Sequence, residues 1–257
     1  MRFPPEQALV PYAAGFPPGR RWLVLAPHPD DETFGMGSTL AQAAIRGYAL
    51  RVVVVTGGEA QGDSSVRRRE ARDAAAALGV GELEFWDFGD RTLGRKMAAL
   101  SRLLAQELAD FQPDTVFSPH PSDLHPDHRA CTRALQRALR ARVVYAGMGS
   151  LPRWVAFYEV GVPLAPNLLV DADPGWEAKE RAFACYASQL AVRPYARVMT
   201  GLAFFRALTV EGAHTVEAFS VLSARRVALT PWRWLVWQAR GCGLPARLAG
   251  AFPGAPV

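Results

Sequence analysis

Cysteine is scarce: 257 residues hold three, Cys131, Cys185 and Cys242, far apart and with no Cys-x-x-Cys spacing. That excludes a disulfide framework and a Cys-based zinc site. No stretch approaches the ~18 uncharged apolar residues of a membrane span. No Gly-x-Gly-x-x-Gly follows the first apolar run and no P-loop occurs, which removes two phosphate-cradling signatures. Gly-x-Ser-x-Gly is missing, so a serine nucleophile elbow is not supported. Residues 1–20 lack a continuous apolar run and are broken by prolines, which reads as an extended arm and not a secretion signal. A cytoplasmic location is the resulting expectation. Acidic residues are missing after Glu217, whereas Arg225, Arg226, Arg233, Arg240 and Arg247 lie beyond it. The net charge of +5 therefore resides in the C-terminal tail, and the rest is close to neutral. No nucleic-acid partner is expected on that balance.

What is present suits one large α/β domain. "RWLVLAP" (21–27) reads as a buried strand ended by proline. A helix is expected from about Gly35 to Arg46, then a Val-rich strand at 48–58, buried on both faces. Helix 64–80, strand 82–89, helix 93–111, strand 115–121, helix 126–140 and strand 142–147 follow. This alternation predicts a parallel, doubly wound sheet. Beyond it lie a strand at 153–160, helices near 175–188 and 194–208, and a strand at 215–222. The domain is expected over 21–224, with 225–257 as a basic, Trp-rich extension. In "TPWRWLVWQARG" (230–241), Thr230 suits an N-cap, Pro231 the first helical position and Gly241 the stop. Such a helix suits a membrane surface, but docking on the protein's own body or on a second subunit is the preferred reading, and a homo-oligomer is compatible with it.

Polar clusters fall after four successive strands. "HPDDE" (28–32) follows the first, "GGE" (57–59) the second, Asp87 and Asp90 the third, and "HPSDLHPDH" (120–128) the fourth. In open parallel sheets ligands bind beyond the carboxyl ends of the strands. His28 and Asp31 are three apart, as are His125 and His128. Two histidines, a carboxylate and an open position make a catalytic zinc arrangement, and also the facial triad of non-haem iron, so ligand type alone does not choose between Zn2+ and Fe2+. Asp30, adjoining Asp31, can take the proton of an attacking water. His125 can stabilise an oxyanion or protonate a leaving amine, and Asp127 can orient a histidine. Asp123 reads equally as a ligand-orienting group or a turn residue. Taken singly, His28 reads as structural and the Asp pair as a solvated turn.

"APHPDDETFGMGS" and "HPDHRA" resemble the two signature motifs of the PIG-L (LmbE-like) family of zinc-dependent N-deacetylases. "TGGEAQG…VRRRE…AAAALGV", "AKERAFACYASQL" and "VEAFSVL" resemble further segments in the same order, across roughly residues 21–222. The resemblance implies a Rossmann-like three-layer α/β fold with a mostly parallel central sheet. It implies zinc on His28, Asp31 and His128, Asp30 as general base, His125 on the oxyanion or as acid, and Asp127 tuning a histidine. It also implies Arg67 as a substrate contact. Glu32 reads either as a helix N-terminal charge or as a second substrate contact. The substrate class implied is a small N-acetylated amino sugar, commonly N-acetylglucosamine in a larger conjugate. Where the family often has Gly-Gly, this chain has Gly37-Ser38, which bears on how closely the helix start approaches a substrate. An amidase acting on a larger acyl group of a thiol-sugar conjugate and a non-catalytic Rossmann-like binding protein are the competing readings. Metal-dependent release of acetate separates all three.

Overall fold

A computed structural model describes residues 12–145 and 151–239. Eight strands form one sheet: β1 (Ala13–Ala14), β2 (Arg21–Ala26), β3 (Ala49–Thr56), β4 (Glu82–Phe88), β5 (Thr115–Pro119), β6 (Trp154–Tyr158), β7 (Leu168–Asp171) and β8 (Val216–Ser223). Their order is β1-β7-β8-β6-β5-β2-β3-β4, and every pairing is parallel except those of β8 with β6 and β7.

The period of two along each strand makes the protein three layers thick. Trp22, Val24 and Ala26 join one apolar cluster with Val52, Val54, Leu40 and Phe183, whereas Leu23 and Leu25 join another with Val53, Val55, Leu104 and Leu135. The first cluster lies under α1 (Asp31–Ile45), α2 (Ser64–Leu78), α5 (Asp173–Cys185) and α7 (Tyr195–Ala207). The second lies under α3 (Met97–Phe111), α4 (Pro126–Val144), α8 (Ala224–Leu229) and α9 (Trp232–Ala239). A short α6 (Ala187–Leu190) joins α5 to α7.

Chain direction across the sheet reverses between β2 and β5. From β2 the chain runs outward through β3 and β4, then returns to β5 on the other side and continues to β6. This is a topological switch point, where loops diverge and leave a crevice at the strands' carboxyl ends. The loops after β2 and β5 carry the two histidine motifs.

Three local expectations need correction. In place of the strand expected at 142–147, α4 continues through Val144, and 146–147 lie outside the described residues. The β-branched pair Val143–Val144 is overridden by packing: Leu139 is buried against α3, and Arg142 Nη2 donates to Ala105 O at 2.7 Å. Secondly, β7 lies between the expected strands and pairs with Ala13–Ala14 of the N-terminal arm. Thirdly, α1 starts at Asp31, four residues early, with a break at Met36 (φ −150°, ψ 24°). Gly35 sits at that break, where a Cβ would lie 2.5 Å from Glu159 O and collide with the Tyr158 ring.

The described part of the C-terminal extension is joined to the same core. Val227, Ala228 and Leu235 are buried, and Gln136 Nε2 on α4 donates to Val227 O and Thr230 O at 2.9 and 2.8 Å. The expected stop at Gly241 lies outside the described residues.

Candidate active site

The loop after β2 turns sharply at Asp30, whose φ of 136° is a left-handed value that non-glycine residues rarely adopt. Such a conformation costs about 1–3 kcal/mol and persists where surroundings over-determine it. Here Arg67 on α2 does so. Buried, it donates to Gly58 O at 2.8 Å, Pro29 O at 2.9 Å and Asp30 Oδ2 at 2.9 Å. After β5, His125 caps α4, its Nδ1 accepting from Asp127 N at 3.2 Å, with Pro126 at the first helical position.

These two segments bring His28, Asp31 and His128 together. His28 Nδ1, Asp31 Oδ2 and His128 Nε2 form a triangle with all three sides 3.2 Å. Tetrahedral zinc bonds of ~2.0–2.1 Å place neighbouring donors about 3.3 Å apart, so the triangle fits one face of such a site. The far nitrogens of both imidazoles meet carboxylates. His28 Nε2 lies 3.3 Å from Asp90 Oδ1 and 3.7 Å from Asp127 Oδ2, and His128 Nδ1 lies 3.2 Å from Asp123 Oδ2. A carboxylate behind an imidazole sets its tautomer and ring orientation, as is usual where a histidine ligates a metal. Ring nitrogens of His28, His125 and His128 also lie within 4.8 Å of one another, as do donor atoms of His28, Asp90 and Asp127.

The field at the triangle calls for positive charge. Burial opposes protonation of His28, but hydrogen bonds with Asp127, Asp31 and Asp90 outweigh it and raise the imidazole well above its ordinary value. Burial likewise opposes charge on His128, yet Asp31 and Asp123 bring it up to about 9. Burial would raise Asp31, but His128 and His28 hold it well below the usual carboxylate range. A divalent cation suits this donor set in both charge and spacing.

Asp30 differs from its neighbour. Burial lifts its carboxyl to about 8, with Arg67 opposing and Asp31 adding to the rise. His125 is lowered by burial and by the adjoining His28 and His128 charges. With Nδ1 already accepting a backbone hydrogen, its proton belongs on Nε2.

A cavity of about 560 Å³ opens over the triangle, lined by His28, Asp30, Asp31, His125 and His128 and walled by Phe34, Val160, Tyr195, Val198 and Met199. Glu32 does not line it. Its Oε1 accepts from Tyr186 Oη at 2.9 Å and Thr33 Oγ1 at 2.8 Å, behind the wall. Ser38 also faces away, its hydroxyl bonded to Ala172 O, so the departure from Gly-Gly lies outside the cavity lining. Arg67 lines the cavity but spends its guanidinium on Asp30 and two carbonyls. Asp90, Arg91, Arg193 and Tyr195 were given no role by sequence reasoning. Asp90 had a detectable signal, since it follows the third strand at the same sheet edge. The α6–α7 residues follow no strand and had none.

Fold and site define the class: an α/β enzyme with its polar machinery at the switch point of a mostly parallel sheet. The sequence profile of PIG-L, described as GlcNAc-PI de-N-acetylase, matches residues 23–139. The chain is 32% identical to the 1D-myo-inositol 2-acetamido-2-deoxy-alpha-D-glucopyranoside deacetylase of a Mycobacterium species (strain JLS), over 68% of this chain and 75% of that one. It is also 29% identical to the 4-oxalmesaconate hydratase of Pseudomonas putida, over 67% of this chain and 75% of that one. The crystal structure of a conserved protein from Thermus thermophilus superposes with a TM-score of 0.70 at 29% identity, covering 78% of this chain and 93% of that chain. Other matched relatives are also named deacetylases. The chain belongs to the PIG-L family of de-N-acetylases. Among the described residues, no helix is long and apolar enough to cross a membrane.

Proposed function

We propose that this protein is a zinc-dependent hydrolase that removes the N-acetyl group from an N-acetylglucosamine-like amino sugar or glycoconjugate. The equilateral triangle of His28 Nδ1, Asp31 Oδ2 and His128 Nε2, with Asp30 beside it in one cavity, carries the reading. His28, Asp31 and His128 would hold the zinc, which would supply Lewis acidity toward water and the acetyl carbonyl. Asp30, whose raised carboxyl a divalent charge beside it would bring back down, accepts a proton from the attacking water as its oxygen bonds to the acetyl carbon. Arg67 keeps the accepting carboxylate aimed into the cavity. His125 keeps its proton and its Nε2–H hydrogen-bonds to the carbonyl oxygen as negative charge develops there. The carbon–nitrogen bond then breaks, the amine nitrogen takes the proton from Asp30, and acetate and the free amino sugar leave. Asp90, Asp127 and Asp123 orient the two imidazoles.

The hydratase among the relatives adds water to a different kind of bond, so the test reads the product. N-acetylglucosamine glycosides are incubated with the protein and followed by mass spectrometry, with and without chelator. A fall of about 42 mass units in the sugar (an acetyl group replaced by hydrogen) with release of acetate, abolished by chelator and restored by zinc, is expected. Release of a bulkier acid from longer N-acyl analogues, without acetate from the acetyl compounds, would instead favour the amidase reading. No acid from either set would overturn the hydrolase.

A further inference from the structure

Phe34, on α1 one turn beyond Asp31, is the hub of an aromatic stack that runs from the core to the cavity. Its ring centroid lies 5.5 Å from that of Phe183 and 5.7 Å from that of Tyr186, both steeply inclined to it. Tyr195 lies 5.4 Å away with the two planes inclined by only 27°, a stacked pair. Phe34, Phe183 and Tyr186 are buried, whereas Tyr195 is half-buried. Of these four rings, Phe34 and Tyr195 line the cavity. Tyr195 is therefore the outermost ring of a stack rooted in the core and joined to the helix that begins with a metal ligand.

Two features of Tyr195 go unused within the protein. The buried Tyr186 and Tyr158 spend their hydroxyls on Glu32 Oε1 at 2.9 Å and Leu25 O at 2.7 Å. The Tyr195 hydroxyl has no hydrogen-bond partner among the described residues. Its ring stacks on Phe34, and among the described residues no second ring or cation covers it. Tyrosine has an apolar body and a polar tip, and here both are left open on the cavity side. The backbone beneath is fixed: Pro194 caps α7, Tyr195 N donates to Arg193 O at 2.8 Å and Val198 N to Pro194 O at 3.0 Å.

Resting on the deacetylase reading, we infer that Tyr195 is a specificity-determining residue, the platform on which the sugar ring lies. Its open face packs on one face of the pyranose, and its Oη hydrogen-bonds to a sugar hydroxyl. N-acetylglucosamine carries its hydroxyls and acetamide around the edge of the chair and axial C–H bonds on its faces. An aromatic face takes those C–H bonds out of water and leaves the edge free for hydrogen bonds. The equatorial acetamide then projects in the plane of the platform, clear of the ring. An open-chain acetamide has the same scissile bond but no such face, so Tyr195 separates the two.

Two probes test this: methyl N-acetylglucosaminide and the open-chain N-(2-hydroxyethyl)acetamide. Acetate release by the zinc-loaded, full-length protein gives kcat/KM for each. Tyr195→Leu should lower the glycoside-to-open-chain ratio about 10–100-fold, mostly through KM for the glycoside. Tyr195→Phe keeps the ring and should lower the ratio about 2–10-fold. A general packing loss would slow both probes alike and leave the ratio unmoved. Saturation-transfer NMR of the glycoside on chelator-treated protein reads binding without turnover. Irradiating aromatic protons should saturate the C–H protons of one sugar face in wild type and Tyr195→Phe, and much less in Tyr195→Leu. A ratio unchanged by Tyr195→Leu, or saturation that favours neither face, overturns the platform. Should Tyr195→Leu not fold, the wild-type face pattern and the Tyr195→Phe ratio decide by the same criteria. One-face saturation without acetate release from either probe would overturn the deacetylase reading and leave the platform standing.

Discussion

The buried pair Lys179–Glu217 offers the sharpest test of how this fold holds its first motif. Helix α1 breaks at Met36, which strands a carbonyl on one side and amides on the other. Lys179 Nζ donates to Phe34 O at 3.0 Å, and Glu217 accepts from Ser38 N at 3.0 Å and Thr39 N at 2.7 Å. The two charges meet at 2.6 Å with side chains 2% and 3% exposed. They thus cap both halves of the broken helix and neutralise each other. Lys179→Met keeps the aliphatic stem but takes the counter-charge from the buried Glu217 side chain. Removing one partner of such a pair costs about 3–5 kcal/mol. For a domain of this size that is a fall in Tm of roughly 6–20 °C. The double variant Lys179→Met, Glu217→Gln removes the orphaned charge while a side-chain oxygen still faces Ser38 and Thr39. It should be more stable than the sum of the single losses by about 0.5–3 kcal/mol. Thermal and urea unfolding of the four proteins closes the cycle. A Lys179→Met loss under about 1 kcal/mol, or strict additivity, would refute the account of the break.

Four further outcomes follow from the site and its frame. Asp30→Asn should keep its zinc, measured by elemental mass spectrometry, yet lose about 10²–10⁴-fold in turnover; full activity rejects Asp30 as base. His128→Ala should lose the metal, and Asp123→Ala should weaken it about 10–100-fold in chelator competition, whereas unchanged affinity in either removes that residue from the metal scheme. At Asp173 burial opposes ionisation, but hydrogen bonds from Thr215 and His214 outweigh it and bring the carboxyl down to about 2. A lowered folded-state pKa gives stability that is present above the unfolded value of ~3.9 and is lost as pH falls toward about 2. Asp173→Asn should flatten the stability–pH curve in that window, and an unaltered slope there would contradict it.

Most of the architecture was legible because it rests on periodic signals. β2 and β3 read as strands from their unbroken apolar runs, and α4 opened where Pro126 permits it. The metal-competent histidines were legible from two facts: each motif follows a strand, and strands of one parallel sheet end at one edge. The break in α1 was not legible, because its causes, Tyr158, Glu159, Lys179 and Glu217, lie more than a hundred residues downstream. The extension of α4 through Val143–Val144 was hidden for the same reason: local β preference lost to burial against α3. Asp90 and Asp123 could be placed at the right edge but not assigned, since carboxylate-to-imidazole pairing needs coordinates. Arg91 and Arg193, which line the cavity, lie on loops that no periodic signal marks.

Three consecutive carboxylates, Asp30, Asp31 and Glu32, look self-defeating in the sequence, and the structure disperses them by aiming each at a different compensator. Asp30 leaves the helical path through its left-handed backbone and meets Arg67 at 2.9 Å. Asp31 begins α1, folds back to accept His28 N at 2.8 Å and faces both imidazoles. Glu32 turns to the opposite side, toward the hydroxyls of Tyr186 and Thr33. Only the first two reach the cavity. Adjacent acidic residues therefore divide into one paired with a guanidinium at the cavity, one facing two imidazoles and one bonded to the Tyr186 hydroxyl just after α5. What separates their roles is the one strained residue between strand and helix. A backbone relaxed at position 30 would turn the Asp30 carboxylate away from Arg67, which makes the strain part of how the site is built.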